Sequence, residues 1–308
     1  MKKILLFSIL LIISAVFSAK AQTSLNDALD LLHQKNYVAA MDVCNTLLAE
    51  ASNSPSALGA RSQIHTAMGR YDLAMQDADR ALSIDSKSDR ALFAKAEALY
   101  YGQKNYNQAL KQYDDAIKAN VQMAEAYSGK VRSYMALQNN KDALKVAEDA
   151  LKKFSNDLEL NYLRGQLNFQ QGKFKLAIDD YDKVQSINAN WNALQVYINR
   201  GLAYEKFLKP DQALQDFTSA IAADPNSAGG YMARGNLHYS RAKYTDAAED
   251  YKKAEILNPD SNVIAYNIGM AYSKIDDKAS ACRYFQKSCQ QGNADACKQV
   301  VMNCSAGK

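Results

Sequence analysis

Residues 228–261 read AGGYMARGNLHYSRAKYTDAAEDYKKAEILNPDS, and the spacing within this 34-residue stretch decides the fold. Small residues stand at its positions 8 and 20 (Gly235 and Ala247), and an aromatic residue stands at position 24 (Tyr251). Small residues let two helices approach closely, and an aromatic side chain fills the space that they leave. Pro259, near the end of the stretch, cannot continue a helix. The stretch therefore predicts two packed helices that end at a proline.

The same pattern recurs along the chain at a nearly constant spacing. An alanine returns at position 20 at intervals of 34, 35, 34, 34, 36, 34 and 34 residues. These alanines are Ala40, Ala74, Ala109, Ala143, Ala177, Ala213, Ala247 and Ala281. The aromatic residues at position 24 include Tyr113, Tyr181, Phe217, Tyr251 and Phe285. A fixed period of this size predicts stacked units, because each unit alone cannot bury its apolar face.

This period and its small and aromatic positions resemble the tetratricopeptide repeat (TPR) family. The resemblance implies an all-α fold, a right-handed superhelical solenoid of about eight helix–turn–helix units with a C-terminal capping helix. The array is expected to span 22–291, with a capping helix and tail at 292–308. Its units are expected near 21–54, 55–88, 89–123, 124–157, 158–191, 194–227, 228–261 and 262–291.

Composition agrees with a long helical array. The chain has 308 residues, too many for one compact core, and only 4 prolines and 13 glycines interrupt its helix formers. Its formal net charge of +4 is small for this length. A nearly balanced charge gives no general attraction to nucleic acid or to an anionic membrane, so no nucleic-acid partner is expected.

Residues 1–21 have the composition of a secretory signal peptide. Lys2 and Lys3 precede the apolar run 4–17, and a small-x-small pattern ends at Ala21. The run has 14 residues, whereas a helix needs about 20 to cross a bilayer. The pattern predicts cleavage after Ala21, export to the periplasm or beyond the cell, and no transmembrane segment after cleavage.

A basic residue occupies position 7 in six consecutive units: Arg61, Lys95, Lys130, Arg164, Arg200 and Arg234. Where position 7 is arginine, position 23 is aspartate, which gives the pairs Arg61 and Asp77, Arg164 and Asp180, Arg200 and Asp216, and Arg234 and Asp250. Where it is lysine, position 23 is not acidic, and the lysine is expected to extend to solvent. We interpret the arginines as structural ion pairs, since the guanidinium fork suits a fixed carboxylate. The alternative is a positive stripe for an acidic ligand.

Four cysteines crowd the C-terminal end around a Gly-Asn turn at Gly292. Residues that face each other across a helical hairpin have numbers with a constant sum, and Cys289 with Cys297 and Cys282 with Cys304 both sum to 586. This pairing predicts two structural disulfides that staple the end of the array. The stretch is also similar to secreted cysteine-rich α/α-repeat proteins. Zinc is the alternative, although the spacing lacks the short C-x2-4-C pattern of most structural zinc sites.

The TPR resemblance implies that positions 2, 5, 9, 12 and 13 of each first helix line a concave groove. Aromatic, methionine and amide side chains at these positions are typical of a peptide-binding surface, although several tyrosines could serve only as packing. The candidate binding residues are Phe93, Tyr100, Tyr101, Arg132, Met135, Tyr162, Gln166, Phe169, Met232, Asn236, Tyr239 and Tyr266.

We expect a non-enzymatic scaffold of the cell envelope that binds an extended peptide or protein segment. The three histidines fall in three different units, and no catalytic motif, metal site or cofactor site is evident, so catalytic residues, metal and cofactor are all expected to be absent. One alternative is a structural subunit of an envelope or secretion complex that assembles through its convex face or its ends. A weaker one is a carrier of glycan or polyanion.

Overall fold

The computed structural model describes residues 24–304, and every regular element within that part of the chain is a helix. The prediction of an all-α chain of consecutive helix–turn–helix units is confirmed. The segment assigned to a signal peptide, 1–21, lies outside the described residues, as does 305–308 at the end of the tail.

The helices alternate between the first and the second helix of successive units. The first helices are α1 (24–33), α3 (Pro55–Ala67), α5 (Asp89–Tyr101), α7 (Ala124–Ala136), α9 (Leu158–Gln170), α11 (Ala193–Lys206), α13 (Ala228–Ser240) and α15 (Asn262–Lys274). The second helices are α2 (Tyr37–Glu50), α4 (Tyr71–Ile84), α6 (Tyr106–Ala119), α8 (Asn140–Leu151), α10 (Phe174–Ile187), α12 (Pro210–Ala223), α14 (Tyr244–Leu257) and α16 (Lys278–Gln290). A short helix α17 (Ala294–Gln299) and a π-helical turn (Val300–Cys304) follow.

The same backbone device ends each first helix. The residue at position 15, or 16 in the third unit with its one extra residue, adopts a left-handed conformation, with φ between 51° and 74°. The next N–H then bonds back across the end of the helix, as from Lys209 to the carbonyl of Tyr204 at 2.8 Å. These left-handed residues are Lys35, Gly69, Lys104, Gln138, Gly172, Leu208, Ala242 and Asp276. The turn is therefore set by a hydrogen-bond pattern and not by glycine alone.

Short polar side chains start many of the helices. The N–H of Ala57 donates to Ser54 Oγ (3.3 Å) at the start of α3, and the N–H of Gln108 donates to Asn105 Oδ1 (3.2 Å) at the start of α6. Each bond satisfies a backbone donor that has no partner within the helix. The last residue of each of these turns therefore caps the helix that follows it.

The core repeats the contact between a small residue and an aromatic ring. Phe217 is fully buried, and a Cβ added to Gly201 would lie 2.6 Å from its Cε1 atom. Gly235 stands in the same relation to Tyr251, at 2.7 Å. Real atoms do not approach so closely, so the ring occupies the space that a larger side chain would need.

The chain divides into two compact units, one ending at Leu163 and one beginning at Arg164. The first unit includes α1 to α8, with large buried side chains such as Ile64 and Tyr113. The second includes α10 to α17, with Phe285 among its buried side chains. Among the described residues, no helix is both long enough and apolar enough to span a membrane.

Candidate functional site

The first unit contains an open cavity of about 600 Å³, which we call the α1–α7 cavity. Most of its lining comes from the first helices α1, α3, α5 and α7, and from the loop that precedes α7. The lining residues are Leu29, Leu32, His33, Gln63, Thr66, Ala67, Tyr71, Arg90, Phe93, Glu97, Tyr101, Asn120, Gln122, Met123 and Glu125.

Part of the cavity wall is apolar. Phe93 and Met123 keep only 9% and 6% of their surface exposed, so they form a packed floor. The ring of Phe93 also lies 6.0 Å from that of Tyr113, between centroids. Leu29 and Leu32 add aliphatic surface from α1. Such a wall favours an apolar side chain or an aliphatic stem over water.

The remaining wall carries hydrogen-bonding groups. Within residues 24–304, the buried Gln63 Nε2 has no hydrogen-bond partner, and the Arg90 guanidinium makes no ion pair. Asn120 is engaged, because its Nδ2 donates to Asp89 Oδ2 at 2.7 Å and its Oδ1 accepts from the N–H of Gln122 at 3.0 Å. An amide donor with no partner is costly to bury, so Gln63 is a natural contact for a ligand carbonyl.

Arg132 lies beside this wall and is bonded at both ends of its guanidinium. Nη2 donates to Glu97 Oε1 at 2.7 Å, and Nη1 donates to Glu159. The guanidinium carbon lies 5.6 Å and 5.7 Å from the ring centroids of Tyr100 and Tyr101. These contacts connect three consecutive repeats, because Glu97, Arg132 and Glu159 belong to the first helices α5, α7 and α9.

The ionisation of this cluster follows from its burial and charges. Burial opposes the charge of Arg132, but Glu97 and Glu159 outweigh it and raise the pKa of Arg132 well above its ordinary value. Burial raises the pKa of Tyr101 to about 12 against the opposing effect of Arg132. The phenol therefore stays neutral and the guanidinium stays charged at any physiological pH.

The structure brings some of the candidate binding residues together. Phe93 and Tyr101 both line the α1–α7 cavity. Tyr100 contacts the ring of Tyr101 edge-on at 4.8 Å, and Arg132 lies against both tyrosines. Since both ends of the Arg132 guanidinium are bonded to carboxylates, this side chain supports the wall and is not free to hold a ligand carboxylate.

The other candidates lie outside this cavity. Met135 is on α7, and Tyr162, Gln166 and Phe169 are on α9. The ring of Phe169 packs against Phe174 at 5.5 Å.

Four candidates lie on α13 and α15 of the second unit. Met232 and Tyr239 pack against its buried core, and Tyr251 donates a hydrogen bond to Asn236 Oδ1 at 2.9 Å. The ring of Tyr266 lies 5.9 Å from that of Phe285. Each of these side chains has a packing role in the unit, whatever else it contacts.

The position-7 arginines all contact the position-23 aspartates. The shortest contacts are Arg61 Nε to Asp77 at 2.7 Å, Arg164 Nη2 to Asp180 at 2.5 Å, Arg200 Nη2 to Asp216 at 2.7 Å and Arg234 Nη2 to Asp250 at 2.7 Å. The aspartate side chains are 5% to 11% exposed. Asn168 Nδ2 also donates to Asp180, at 2.8 Å.

Position 25 of the preceding repeat supplies a second partner that the sequence analysis missed. Arg200 Nη1 bonds to Asp182 at 2.7 Å, for example. Lys95 and Lys130, which have no acidic residue at position 23, also have such a partner: Lys95 pairs with Asp79 at 2.7 Å and Lys130 with Asp114 at 2.5 Å. The reason is that a second helix lies against the first helix of the following repeat. The signal was present in the sequence as acceptors one repeat earlier: Asn45, Asp79, Asp114, Asp182 and Thr218.

The four C-terminal cysteines form two disulfides. Cys282 is bonded to Cys304, with 5.5 Å between their Cα atoms, and Cys289 is bonded to Cys297, with 4.7 Å between theirs. Cys44 is a buried free thiol. Burial raises its pKa to about 11, so it is a protonated packing residue. No group of three or more His, Cys, Asp or Glu side chains in the described part of the chain could hold a metal ion.

The helix pairs, the left-handed turn at position 15 and the buried position-24 rings all point to one repeat family. Models of the tetratricopeptide repeat match residues 55–88, 128–190, 198–262 and 264–300, which together are more than half of the chain. The chain belongs to the tetratricopeptide repeat family. TPR proteins bind protein partners, and the family is one of protein–protein interaction scaffolds.

Curated relatives match part of their own length. The DnaJ homolog subfamily C member 7 homolog of Dictyostelium discoideum is 26% identical over 208 residues, which are 67% of this chain and 34% of that protein. The Hsp70-Hsp90 organizing protein of Triticum aestivum is 26% identical over 245 residues, 77% of this chain and 40% of that protein. The chain therefore spans between about a third and two fifths of these relatives.

The prediction of an exported protein was wrong. The finding that contradicts it is the set of DnaJ-type and Hsp70-Hsp90 organizing relatives, which are cytosolic co-chaperones and not exported proteins. The export prediction depended on residues 1–21 alone, where a 14-residue apolar run behind two lysines is a short compositional pattern. The relatives match over about two thirds of the chain or more.

The relatives also bear on enzymatic activity. TPR proteins and the co-chaperone-like relatives are generally non-enzymatic. The human protein O-mannosyl-transferase TMTC1 is a relative of another kind, 22% identical over 67% of this chain and 23% of that protein.

Solved structures show the same fold. The crystal structure of the APC/C hetero-tetramer Cut9-Hcn1 superposes with a TM-score of 0.67 at 16% identity, over 74% of this chain and 45% of that one. A tetratricopeptide repeat protein from Parabacteroides merdae gives a TM-score of 0.54 at 19% identity, over 82% and 98% of the two chains. At these identities the likeness concerns the fold alone.

Proposed function

We propose that this TPR chain is a non-enzymatic scaffold that binds an extended segment of a partner protein on the surface of its first helices. The observation that carries the proposal is the α1–α7 cavity, whose wall combines apolar floor residues with amide and charged groups. The family supports a protein partner, since TPR proteins bind proteins. The same family supports the absence of catalysis.

The size and lining of the cavity suit a peptide. Its volume of about 600 Å³ lies within the usual range for ligand sites, about 300–1,000 Å³. Phe93 and Met123 offer apolar surface to a side chain, and Gln63 offers a donor to a backbone carbonyl. An extended peptide presents both kinds of group in alternation, so a mixed wall matches it better than an entirely apolar one would.

The wall is also held in place before any ligand arrives. Arg132 connects Glu97 on α5 to Glu159 on α9, and it lies against the ring of Tyr101. A wall that is fixed in the free protein loses less conformational entropy on binding.

Selection of peptides from a phage-displayed library of random 12-residue sequences on the immobilised full chain tests this proposal. Dissociation constants of the selected peptides would be measured by fluorescence anisotropy for the wild type and for Tyr101→Ala. Tyr101 is 42% exposed, so its truncation leaves the core intact. We expect binding to weaken about tenfold or more, as for a central aromatic contact.

The matched control is Leu176→Ala, which removes an apolar side chain that is 51% exposed on the second helix α10. We expect it to bind the selected peptides like the wild type. The double variant Tyr162→Ala/Phe169→Ala reports whether the surface extends to α9. A library that yields no binding peptide, or peptides that bind Tyr101→Ala and wild type equally, would contradict the proposed site.

A further inference from the structure

We propose that the α1–α7 cavity selects a basic side chain, lysine or arginine, within the bound segment. The positive end would lie against Glu97 and Glu125, and the aliphatic stem against the rings of Phe93 and Tyr101. This inference rests on the proposed function and adds the chemistry of the residue that the cavity accepts.

Glu97 is an oriented carboxylate with one oxygen available. Its Oε1 accepts hydrogen bonds from Arg132 Nη2 and from the Tyr113 hydroxyl. The other oxygen of Glu97, Oε2, accepts no hydrogen bond from any residue in the range 24–304. The side chain is 15% exposed and lines the cavity. Because one oxygen holds the carboxylate in a fixed orientation, the second oxygen can accept a hydrogen bond from a ligand cation without the side chain having to reorient.

Acidic groups outnumber basic groups at this wall. Glu97 and Glu125 line the cavity together with one arginine, Arg90. Behind them Arg132 is shared between two carboxylates, Glu97 and Glu159, so it neutralises only part of their charge. The local balance is therefore negative, and in a partly desolvated cavity such a balance attracts a cation more strongly than it does in water.

Asp157 adds a fourth carboxylate near this group. Burial first, and then the neighbouring carboxylates of Glu159 and Glu125, raise the pKa of Asp157, although the N–H of Leu160 opposes the rise. Glu159 and Glu125 both oppose the ionisation of Asp157. A ligand cation would relieve this repulsion.

Aromatic rings at the cavity suit the rest of a basic side chain. Tyr101 lines the cavity and is 42% exposed, so its ring offers surface to a ligand side chain in addition to its contact with Arg132. Phe93 and Tyr71 provide further ring surface in the lining. Such surface covers the methylene groups of lysine or arginine while the charged end reaches a carboxylate.

Arg90 is the one positively charged arginine in the cavity lining and favours an acidic ligand side chain. Its guanidinium lines the same cavity and makes no ion pair among the described residues, so an acidic ligand side chain is the alternative outcome. We favour the basic ligand because two carboxylates line the cavity against one guanidinium, with further carboxylates behind them.

The test compares peptides selected from the random 12-residue library on the full-length wild type, on Glu97→Gln and on Glu255→Gln. Glu255 is the matched control, since its side chain is 16% exposed and pairs with Lys287 at 2.8 Å. We expect lysine or arginine to be enriched at one position with the wild type and with Glu255→Gln. With Glu97→Gln this enrichment should disappear, while apolar preferences at other positions remain.

A second measurement uses one selected peptide and its copy with norleucine in place of the basic residue. The wild type should bind the norleucine copy about tenfold or more weakly, as expected for a hydrogen bond between charged groups. Glu97→Gln should bind the two peptides almost equally. Glu125→Gln, an exposed position, gives an independent reading of the same preference if Glu97→Gln does not fold.

The outcomes separate the two proposals. Peptides that bind through Tyr101 but share no basic position would overturn the inference and leave the proposed function standing. Enrichment of aspartate or glutamate would also overturn it and would assign specificity to Arg90. A library without binding peptides would overturn both proposals.

Discussion

At the scale of single residues, the position-7 arginines connect each repeat to itself and to the one before it. Arg200 bonds to Asp216 through Nε and Nη2, at 2.8 Å and 2.7 Å, and to Asp182 through Nη1, at 2.7 Å. Burial opposes the charge of Arg200, but its bonds and proximity to Asp216 and Asp182 outweigh it and raise the pKa of the guanidinium. One side chain therefore joins α11, α12 and α10.

Replacing Arg200 tests this role. Arg200→Ala leaves Asp216, whose side chain is 5% exposed, without its ionic partner. We expect a loss of about 3 kcal/mol in the free energy of unfolding, because an unpaired buried carboxylate is costly. Urea unfolding followed by circular dichroism measures it. Lys175→Ala removes a pair with Asp179 on an exposed face, and its effect should stay below about 0.5 kcal/mol. An unchanged midpoint for Arg200→Ala would show that the pair does not stabilise the fold.

The left-handed turn residues allow a second test, of the backbone alone. Leu208 has a φ of 59° and is 87% exposed, so Leu208→Gly relieves backbone strain and loses little burial. We expect a gain of about 1 kcal/mol in stability. Gly172 has a φ of 74° with open space where a Cβ would stand, so Gly172→Ala should lose a similar amount. Thermal unfolding of both variants checks the opposite signs, and equal signs would contradict the argument.

At the scale of elements, the C-terminal helix depends on covalent bonds. Helix α17 has only six residues, and Ala296 is its one buried residue. Isolated helices shorter than about 12 residues are marginal in water. The disulfides Cys289–Cys297 and Cys282–Cys304 connect α17 and the final turn to α16. Each disulfide is expected to contribute about 2–3 kcal/mol by restricting the open chain.

Removing each disulfide should therefore release a different segment. In Cys289→Ser/Cys297→Ser we expect the amides of α17 to exchange with solvent at least about tenfold faster, and in Cys282→Ser/Cys304→Ser the amides of Val300–Cys304. Hydrogen exchange read by mass spectrometry measures both, with the amides of α12 as the internal control. Unchanged protection of α17 in the first variant would show that packing alone holds the helix.

At the scale of the whole molecule, two buried histidines predict how stability depends on pH. His65 in the first unit and His238 in the second are about nine-tenths buried as side chains. Burial lowers the pKa of each, although Asp77 and Asp250 oppose it. The unfolded chain then binds protons at a higher pH than the folded chain, so stability falls as the pH drops below about 6.5.

The measurement is the urea midpoint at pH 7.5 and at pH 5.5. The wild type should lose stability between the two, and the variant His65→Gln/His238→Gln should lose less. His33→Gln, at an exposed position, is the control and should behave like the wild type. An equal loss in all three proteins would assign the pH dependence to other groups.

Much of the fold was predictable because the same spacing of small and aromatic residues recurs in each repeat. Alanine at position 20 and an aromatic residue at position 24 identified the family and the order of helices, since each marks a helix–helix contact inside one unit. The binding surface was less predictable. Arg132 has the position of a groove residue, yet its guanidinium is held by Glu97 and Glu159, which lie 35 and 27 residues away in sequence.

By itself, the sequence determined the all-α class, the TPR family and the alternation of first and second helices. These follow from the 34-residue period, because contacts between helices of one repeat are set by short spacings along the chain. Only the tertiary structure decided which side chains meet across consecutive repeats: Lys95 with Asp79, Arg132 with Glu97, and the lining of the α1–α7 cavity. The physical reason is that stacking places residues from different repeats within bonding distance, and that distance depends on how each pair of helices packs.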